Sequence, residues 1–172
     1  MAESYRLFLA LWPDERVRAQ LTAYLKLASK TSLHAKPVAA ENLHITLRYI
    51  GSVDAQQLAC IRSVAAKIPM NPFALQLDHQ GYWRRPQVAW LGCHHVPEAL
   101  KQLVHEIESA LMGCGIESEP RPYVPHLTLL RKLKYFPVKD IPPIHWSAGS
   151  FVLVLSESAP EGVQYSVLNR WP

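Results

Sequence analysis

Two hydrophobic rhythms alternate along the chain, one with the period of a strand and one with that of a helix. Residues 6–12, RLFLALW, form a short apolar run that Pro13 and Asp14 close with a helix-start signature. Val17, Leu21, Tyr24, Leu25 and Ala28 then recur at helical spacing, predicting a buried strand followed by an amphipathic helix over 14–29. A basic loop with Lys30, His34, Lys36 and Pro37 leads to LHITLRYI (43–50), a strand expected to end at Gly51. Asp54 can cap a second helix that carries Leu58, Ile61, Val64, Ala65 and Ile68 on one face, with Pro69 and Pro72 beyond its end. FALQLDH (73–79) alternates as a half-exposed strand does. A turn around Gly81 and Arg84-Arg85-Pro86 precedes VAWLGC (88–93), a buried strand. Pro97 opens a third helix with Leu100, Leu103, Val104, Ile107 and Leu111, closed by Gly113 or Gly115. RPYVP (121–125) feeds HLTLL, residues 132–148 read as a Pro-rich loop, and strands are expected at 150–158 and near 164–169.

A long repeat runs through this pattern. His44 and His126 lie 82 residues apart, and the same shift lays RLFLAL (6–11) on VAWLGC (88–93) and Leu21 on Leu103. Strand, helix, loop and an HxTL strand thus occur twice, which suggests two related lobes rather than a solenoid.

Side chains on a strand alternate faces, so His44 and Thr46 share one face while Ile45 and Leu47 take the other. His126 and Thr128 stand in the same relation to Leu127 and Leu129. Lobes that face each other would bring two imidazoles and two hydroxyls to one cleft. A neutral imidazole takes a proton from water and an imidazolium gives one to a leaving oxygen, both near neutral pH. Hydroxyl donors hold a small anion between them. The set suits in-line displacement at a phosphodiester, with a bell-shaped pH profile whose limbs lie near neutrality. One HxT on a strand is a weak signal, and a lone His is more often a structural side chain. The chain has four threonines (22, 31, 46, 128), however, and half of them occupy the pattern.

Composition adds limits. A chain of 172 residues that is 49% hydrophobic, without low-complexity runs, makes one domain or two small lobes sharing a core. The net charge of +4 permits an anionic partner such as RNA without demanding one. Three cysteines (60, 93, 114) are odd in number and lack C-x-x-C spacing, which argues against a disulfide framework and suits a reducing compartment. The N-terminal residues show no basic leader, and no run approaches the roughly 18 apolar residues of a membrane helix. A cytoplasmic location is expected, with no membrane and no obligate protein partner. Cys93-His94-His95 hints at metal, but no second ligand pair stands at metal spacing, so no metal is expected. Trp83-Arg84-Arg85 fits RNA contact and a solvated turn equally, while Trp12, Trp90, Trp146 and Trp171 read as structural.

With ENLHITLRYIG (41–51), GYWRRPQVAWLG (81–92) and RPYVPHLTLLR (121–131) in order, nearly the whole chain resembles the two-histidine phosphoesterases. The match is to their RNA 2',3'-cyclic phosphodiesterase branch, historically called 2'-5' RNA ligases. The resemblance implies an α+β fold over 1–172, a single bilobal domain with two pseudo-symmetric halves. Two antiparallel sheets would line a central cleft with helices packed outside. It also implies metal- and cofactor-free hydrolysis of a terminal 2',3'-cyclic phosphate, on RNA ends or nucleotides, to a 2'-phosphate. Carried over by motif, His44 is the general acid protonating O3', His126 the base activating water, and Thr46 and Thr128 hold the phosphate. Pro125–Arg131 matches the family's PHxTLxR, so Arg131 is a substrate-binding candidate, although its strand parity is wrong for the cleft unless the strand ends or bulges first. Arg48 has cleft parity. Phe8 is a candidate base-stacking surface and equally a core residue. Cleavage or ligation of 2'-5' linkages, and a non-catalytic RNA- or nucleotide-binding module, are the alternatives.

Overall fold

In the computed structural model, which describes residues 4–32 and 34–172, the two rhythms become nine strands and three helices. Residues 1–3, part of the N-terminal segment read for a leader, lie outside the described residues. In chain order these are β1 Tyr5–Leu11, α1 Glu15–Ser29, β2 Lys36–Pro37, β3 Ile45–Val53, α2 Ala55–Ala65, β4 Phe73–Trp83 and β5 Val88–Gly92. They continue with α3 Glu98–Met112, β6 Leu127–Arg131, β7 Lys139–Ala148, β8 Phe151–Ala159 and β9 Gly162–Trp171. The expected caps form. The Asp14 carboxylate accepts from the Val17 N–H at 2.8 Å, and Asp54 and Gln57 make a reciprocal capping box. Each cap contributes about 1 kcal/mol.

All strand pairings are antiparallel, in the order β7-β4-β5-β6-β3-β1-β8-β9, with β2 paired to β6. The two halves of this sheet meet at β3 and β6 through one residue pair, Ile45 opposite Leu127. The helices cross over: α1, which follows β1, packs on β6 and β7, while α3, which follows β5, packs on β3 and α2. Leu21, Ile61 and Ile107, one from each helix, are fully buried in the core that also takes Ile45 and Leu127. This crossed packing gives both halves one continuous core. The other sheet face carries a smaller cluster of Phe8, Ala10, Val152 and Val154.

Three expectations change. The segment 132–148 is not all loop, because Lys139–Ala148 pairs with β4 as an edge strand. Its prolines Pro142 and Pro143 fall where Leu77 pairs Ile144 but His79 pairs Asp140, two extra residues in a bulge. Prolines are tolerated at an edge and a bulge, where no ladder donor is missed. Gly81 lies inside β4 rather than in the turn, and it makes room there for the Trp90 ring, from which a Cβ would sit 2.1 Å. The turn itself holds the cis Arg85–Pro86 bond and Gln87 at a φ of 67°. Finally, Cys60 in α2 and Cys114 just past α3 form a disulfide with Cα atoms 5.7 Å apart, leaving Cys93 free. An odd count had argued against this. Packing of α2 on α3 brings together residues whose separation of 54 carries no local signature.

Candidate active site

Both HxT motifs sit at the centre of the sheet, at the junction of its halves. The antiparallel pair Ile45–Leu127 sets the register there. One step to either side, that register brings His44 towards Thr128 and Thr46 towards His126. All four side chains line one pocket of about 250 Å³, and Ile45, Leu127 and Leu129 are fully buried in the core. The alternation expected from period-2 spacing therefore holds at both motifs.

The two imidazoles are held alike. His44 Nδ1 lies 2.6 Å from the Asn42 carbonyl oxygen and His126 Nδ1 lies 2.9 Å from that of Val124, each two residues back. A carbonyl only accepts, so Nδ1 carries the hydrogen in both rings and Nε2 is the unprotonated nitrogen. The Thr46 hydroxyl donates to His44 Nε2 at 3.0 Å. Trp12 stacks on His44 (centroids 5.6 Å, planes 16° apart), and Phe8 and Tyr165 pack on it at 4.8 and 5.4 Å. Trp83 meets His126 edge-on at 4.5 Å. Two further residues fix the backbone around the motifs. Arg18 of α1 donates to the Ala40 and Leu43 carbonyls at 2.6 and 3.3 Å, just before His44. Tyr123 donates to the Thr46 carbonyl at 3.0 Å, tying the approach to β6 onto β3.

Burial among these rings disfavours the imidazolium and lowers His44 to about 4, against the raising effect of the Asn42 carbonyl. The positive charges of Arg131 and Arg18 lower it further, as does His126 when it is protonated. His126 is also lowered, by burial first and then by Arg131. Both rings are thus neutral at pH 7 in the unliganded protein.

Two bulges decide which other side chains face the pocket. On β6, Trp90 pairs Thr128 but Ala89 pairs Leu130, so Leu129 is an extra residue. Leu129 and Leu130 are both fully buried, and Arg131 is returned to the face of His126 and Thr128, where it lines their pocket. On β3, Ala10 pairs Thr46 but Leu9 pairs Arg48, which makes Leu47 the extra residue. Tyr49 then lines the pocket instead of Arg48. Arg48 turns to α3, with Nε 2.6 Å from a Glu108 carboxylate oxygen. The bulge takes it out of the histidine pocket, and it lines the larger cleft beside that pocket instead. Phe8 reaches the pocket but keeps 3% exposure, backing His44 rather than offering an open ring face. Ala10 and Trp90, opposite the two threonines, are 80 residues apart, so the first strands superpose with a shift two short of 82. The pocket opens into a cleft of about 840 Å³ whose walls include Trp83, Arg85, Arg121 and Tyr123.

The model of the 2'-5' RNA ligase superfamily matches residues 13–155. The chain belongs to that superfamily. An RNA 2',3'-cyclic phosphodiesterase of Escherichia coli K12 is 34% identical over 173 residues, covering 99% of this chain and 98% of that protein. One from Thermotoga maritima is 31% identical over 176 residues, covering 95% and 92%. Among solved structures, E. coli LigT in apo form superposes with a TM-score of 0.86 at 33% identity, covering 99% of this chain and 98% of that one. LigT complexed with 3'-AMP gives 0.84 at 32%, covering 98% of each. The family resemblance, and the α+β fold class that it implied, are both borne out.

In this superfamily member the motif residues were readable from sequence, but their supports were not. Trp12 was expected to be merely structural, yet it stacks on His44. Arg18 and Tyr165 had no motif to mark them. Tyr49 was within reach, since it lies 82 residues before Arg131 and both follow a one-residue bulge.

Proposed function

We propose that this chain hydrolyses the 2',3'-cyclic phosphate at an RNA end to a 2'-phosphate, by paired-histidine general acid–base catalysis without a metal. The observation that carries the reading is the matched pair of Nδ1–H imidazoles on one small pocket, each with its HxT threonine. Relatives over nearly its full length bear the name of this activity, which supports an enzyme over a binding module. A chain that only bound RNA would need anion donors but no matched acid and base.

In the proposed reaction His126 Nε2 takes a proton from water as the water oxygen bonds to phosphorus. The P–O3' bond breaks opposite it, and His44, protonated on Nε2, gives that proton to O3'. The product is a 2'-phosphomonoester with a free 3'-hydroxyl. Thr46 and Thr128 donate to the non-bridging oxygens, and Arg131 compensates their charge. Swinging from His44 Nε2 to the phosphate frees that nitrogen, so the Thr46 hydroxyl serves the empty and the filled site in turn. Such acid–base catalysis typically contributes ~10²–10⁴-fold. A cytoplasmic location, where cleaved RNA is at hand, belongs to the same proposal, although the Cys60–Cys114 disulfide removes the cysteine argument for it.

The test is turnover of an oligoribonucleotide ending in a 2',3'-cyclic phosphate, in EDTA, by wild type, His44→Ala and His126→Ala. Wild type should yield a 2'-phosphate at an undiminished rate, and each variant should fall at least a hundredfold. Dependence on added metal, or variants as fast as wild type, would overturn the reading. The superfamily's name favours a second activity on 2'-5' linkages. Cleavage of a 2'-5' dinucleotide with the cyclic end untouched would select it.

A further inference from the structure

Cys93-His94-His95 could not be made into a metal site from sequence because no second ligand pair had the right spacing. Folding supplies the missing ligands from two other strands. β7, β4 and β5 lie side by side, and on them Asp140 pairs His79 and His79 pairs Gly92. Two residues beyond Gly92 the chain leaves β5, and His94 comes over the same place, its N–H donating to an Asp78 carboxylate oxygen at 3.0 Å. Asp140 Oδ1 then lies 2.6 Å from His94 Nε2 and 3.5 Å from His79 Nδ1. The three ligand atoms all fall within 4.8 Å of one another. The bulge at Pro142-Pro143 is what sets Asp140 opposite His79.

We propose that His79, His94 and Asp140 bind a divalent transition-metal ion of the zinc class, at a site separate from the phosphodiester pocket. Two imidazole nitrogens with one carboxylate oxygen favour zinc, nickel or copper over the hard cations magnesium and calcium. Bonds of roughly 2.1 Å in tetrahedral geometry put neighbouring ligand atoms about 3.4 Å apart. The His79–Asp140 spacing already matches, while His94 and Asp140, at 2.6 Å, would draw apart to admit the ion. His94 and Asp140 are exposed, at 56% and 80% of their side chains, so an ion has open access and keeps a position for water. The two imidazole rings stand 4.6 Å apart, an arrangement that a shared cation rewards. None of the three residues lines the pocket of His44 and His126 or the cleft beside it. The ion therefore takes no part in the proposed hydrolysis. Its mechanical effect is to clamp the bulged edge strand β7 to β4 and to the loop after β5.

Tag-free protein stripped with a chelator and titrated calorimetrically with zinc chloride tests this. The expected result is about one zinc per chain, with affinity reduced tenfold or more in His94→Ala and separately in Asp140→Asn. The His44→Ala/His126→Ala double variant should bind as wild type does. Zinc at a hundredfold excess over Kd should also raise Tm by about 5 °C or more in wild type and not in His94→Ala. Both substituted side chains are exposed, so neither change opens the core. No binding, binding unaltered by both single variants, or binding lost only in the double variant would overturn the proposal. The last outcome would place the ion on the catalytic histidines.

Discussion

The depressed pKa of His44 makes a quantitative demand on the proposed mechanism. With the ring at about 4, about one His44 in a thousand is protonated at pH 7 in the free enzyme. A general acid so seldom charged is useless unless the substrate itself restores the proton. The cyclic phosphodiester is a monoanion, and a unit charge roughly 4 Å from the ring interacts by about 4 kcal/mol at an effective dielectric near 20. At 1.36 kcal/mol per pH unit this raises the ring by about 3 units, to near 7. Two separable results follow. The pH profile of kcat, which reports the complex, should have its basic limb near neutrality, as the paired motifs suggested. That of kcat/KM, which reports the free enzyme, should turn down on the acid side of neutrality instead. The direct assay is an NMR pH titration of the histidine ring signals, assigned with His44→Gln, alone and with saturating inorganic phosphate. A free His44 that titrates between 6 and 7, or one that phosphate leaves unmoved, would refute the reasoning. Folding gives a second reading of the same shift. The folded pKa lies below the unfolded value, so this contribution to stability is present above about pH 6.5 and lost as pH falls through 4. It amounts to about 3 kcal/mol, which His44→Gln should remove from the difference in unfolding free energy between pH 7 and pH 3.

Thr46→Val removes the donor to His44 Nε2 and one proposed phosphate contact while keeping the shape of the side chain. A hydrogen bond to a charged group is worth ~1.5–3 kcal/mol, so kcat/KM should fall ~10–150-fold with Tm nearly unchanged; an unaltered kcat/KM would remove Thr46 from the site. The Cys60–Cys114 bond closes a loop across 54 residues, which the chain-entropy argument values at up to about 4 kcal/mol. Cys60→Ser, or reduction of wild type, should lower Tm by roughly 10 °C, and identical melting with and without reductant would mean the thiols are unpaired in solution.

What the sequence disclosed and what it hid have a common cause. His44 and Thr46 were legible because a strand's period of two is local, and Ile45 and Leu47 beside them announced which face was core. The helix ends were legible for the same reason, since Asp14 and Asp54 act within four residues. Bulges are set by the pairing of distant strands. Leu129 looks like any other leucine, yet its extra position returns Arg131 to the pocket, and Leu47 does the reverse to Arg48. Edge placement, likewise a property of the whole sheet, is what lets β7 carry Pro142 and Pro143. The supports of His44 come from β1, α1 and β9, and the His79–His94–Asp140 cluster from two strands and the loop after β5, so neither has a spacing to find. The paired motifs were found because the same local signal, HxTL, stands twice in the chain, 82 residues apart.

The central claim is that His44 and His126 divide the proton transfers, acid on one side of phosphorus and base on the other. A cyclic substrate with sulfur in place of O3' separates them, because a thiolate leaves without needing a proton. Single-turnover rates with the oxygen and sulfur substrates should show His44→Ala restored nearly to wild type by sulfur, while His126→Ala stays slow on both. Sulfur that rescues neither variant, or rescues His126→Ala instead, would contradict the account.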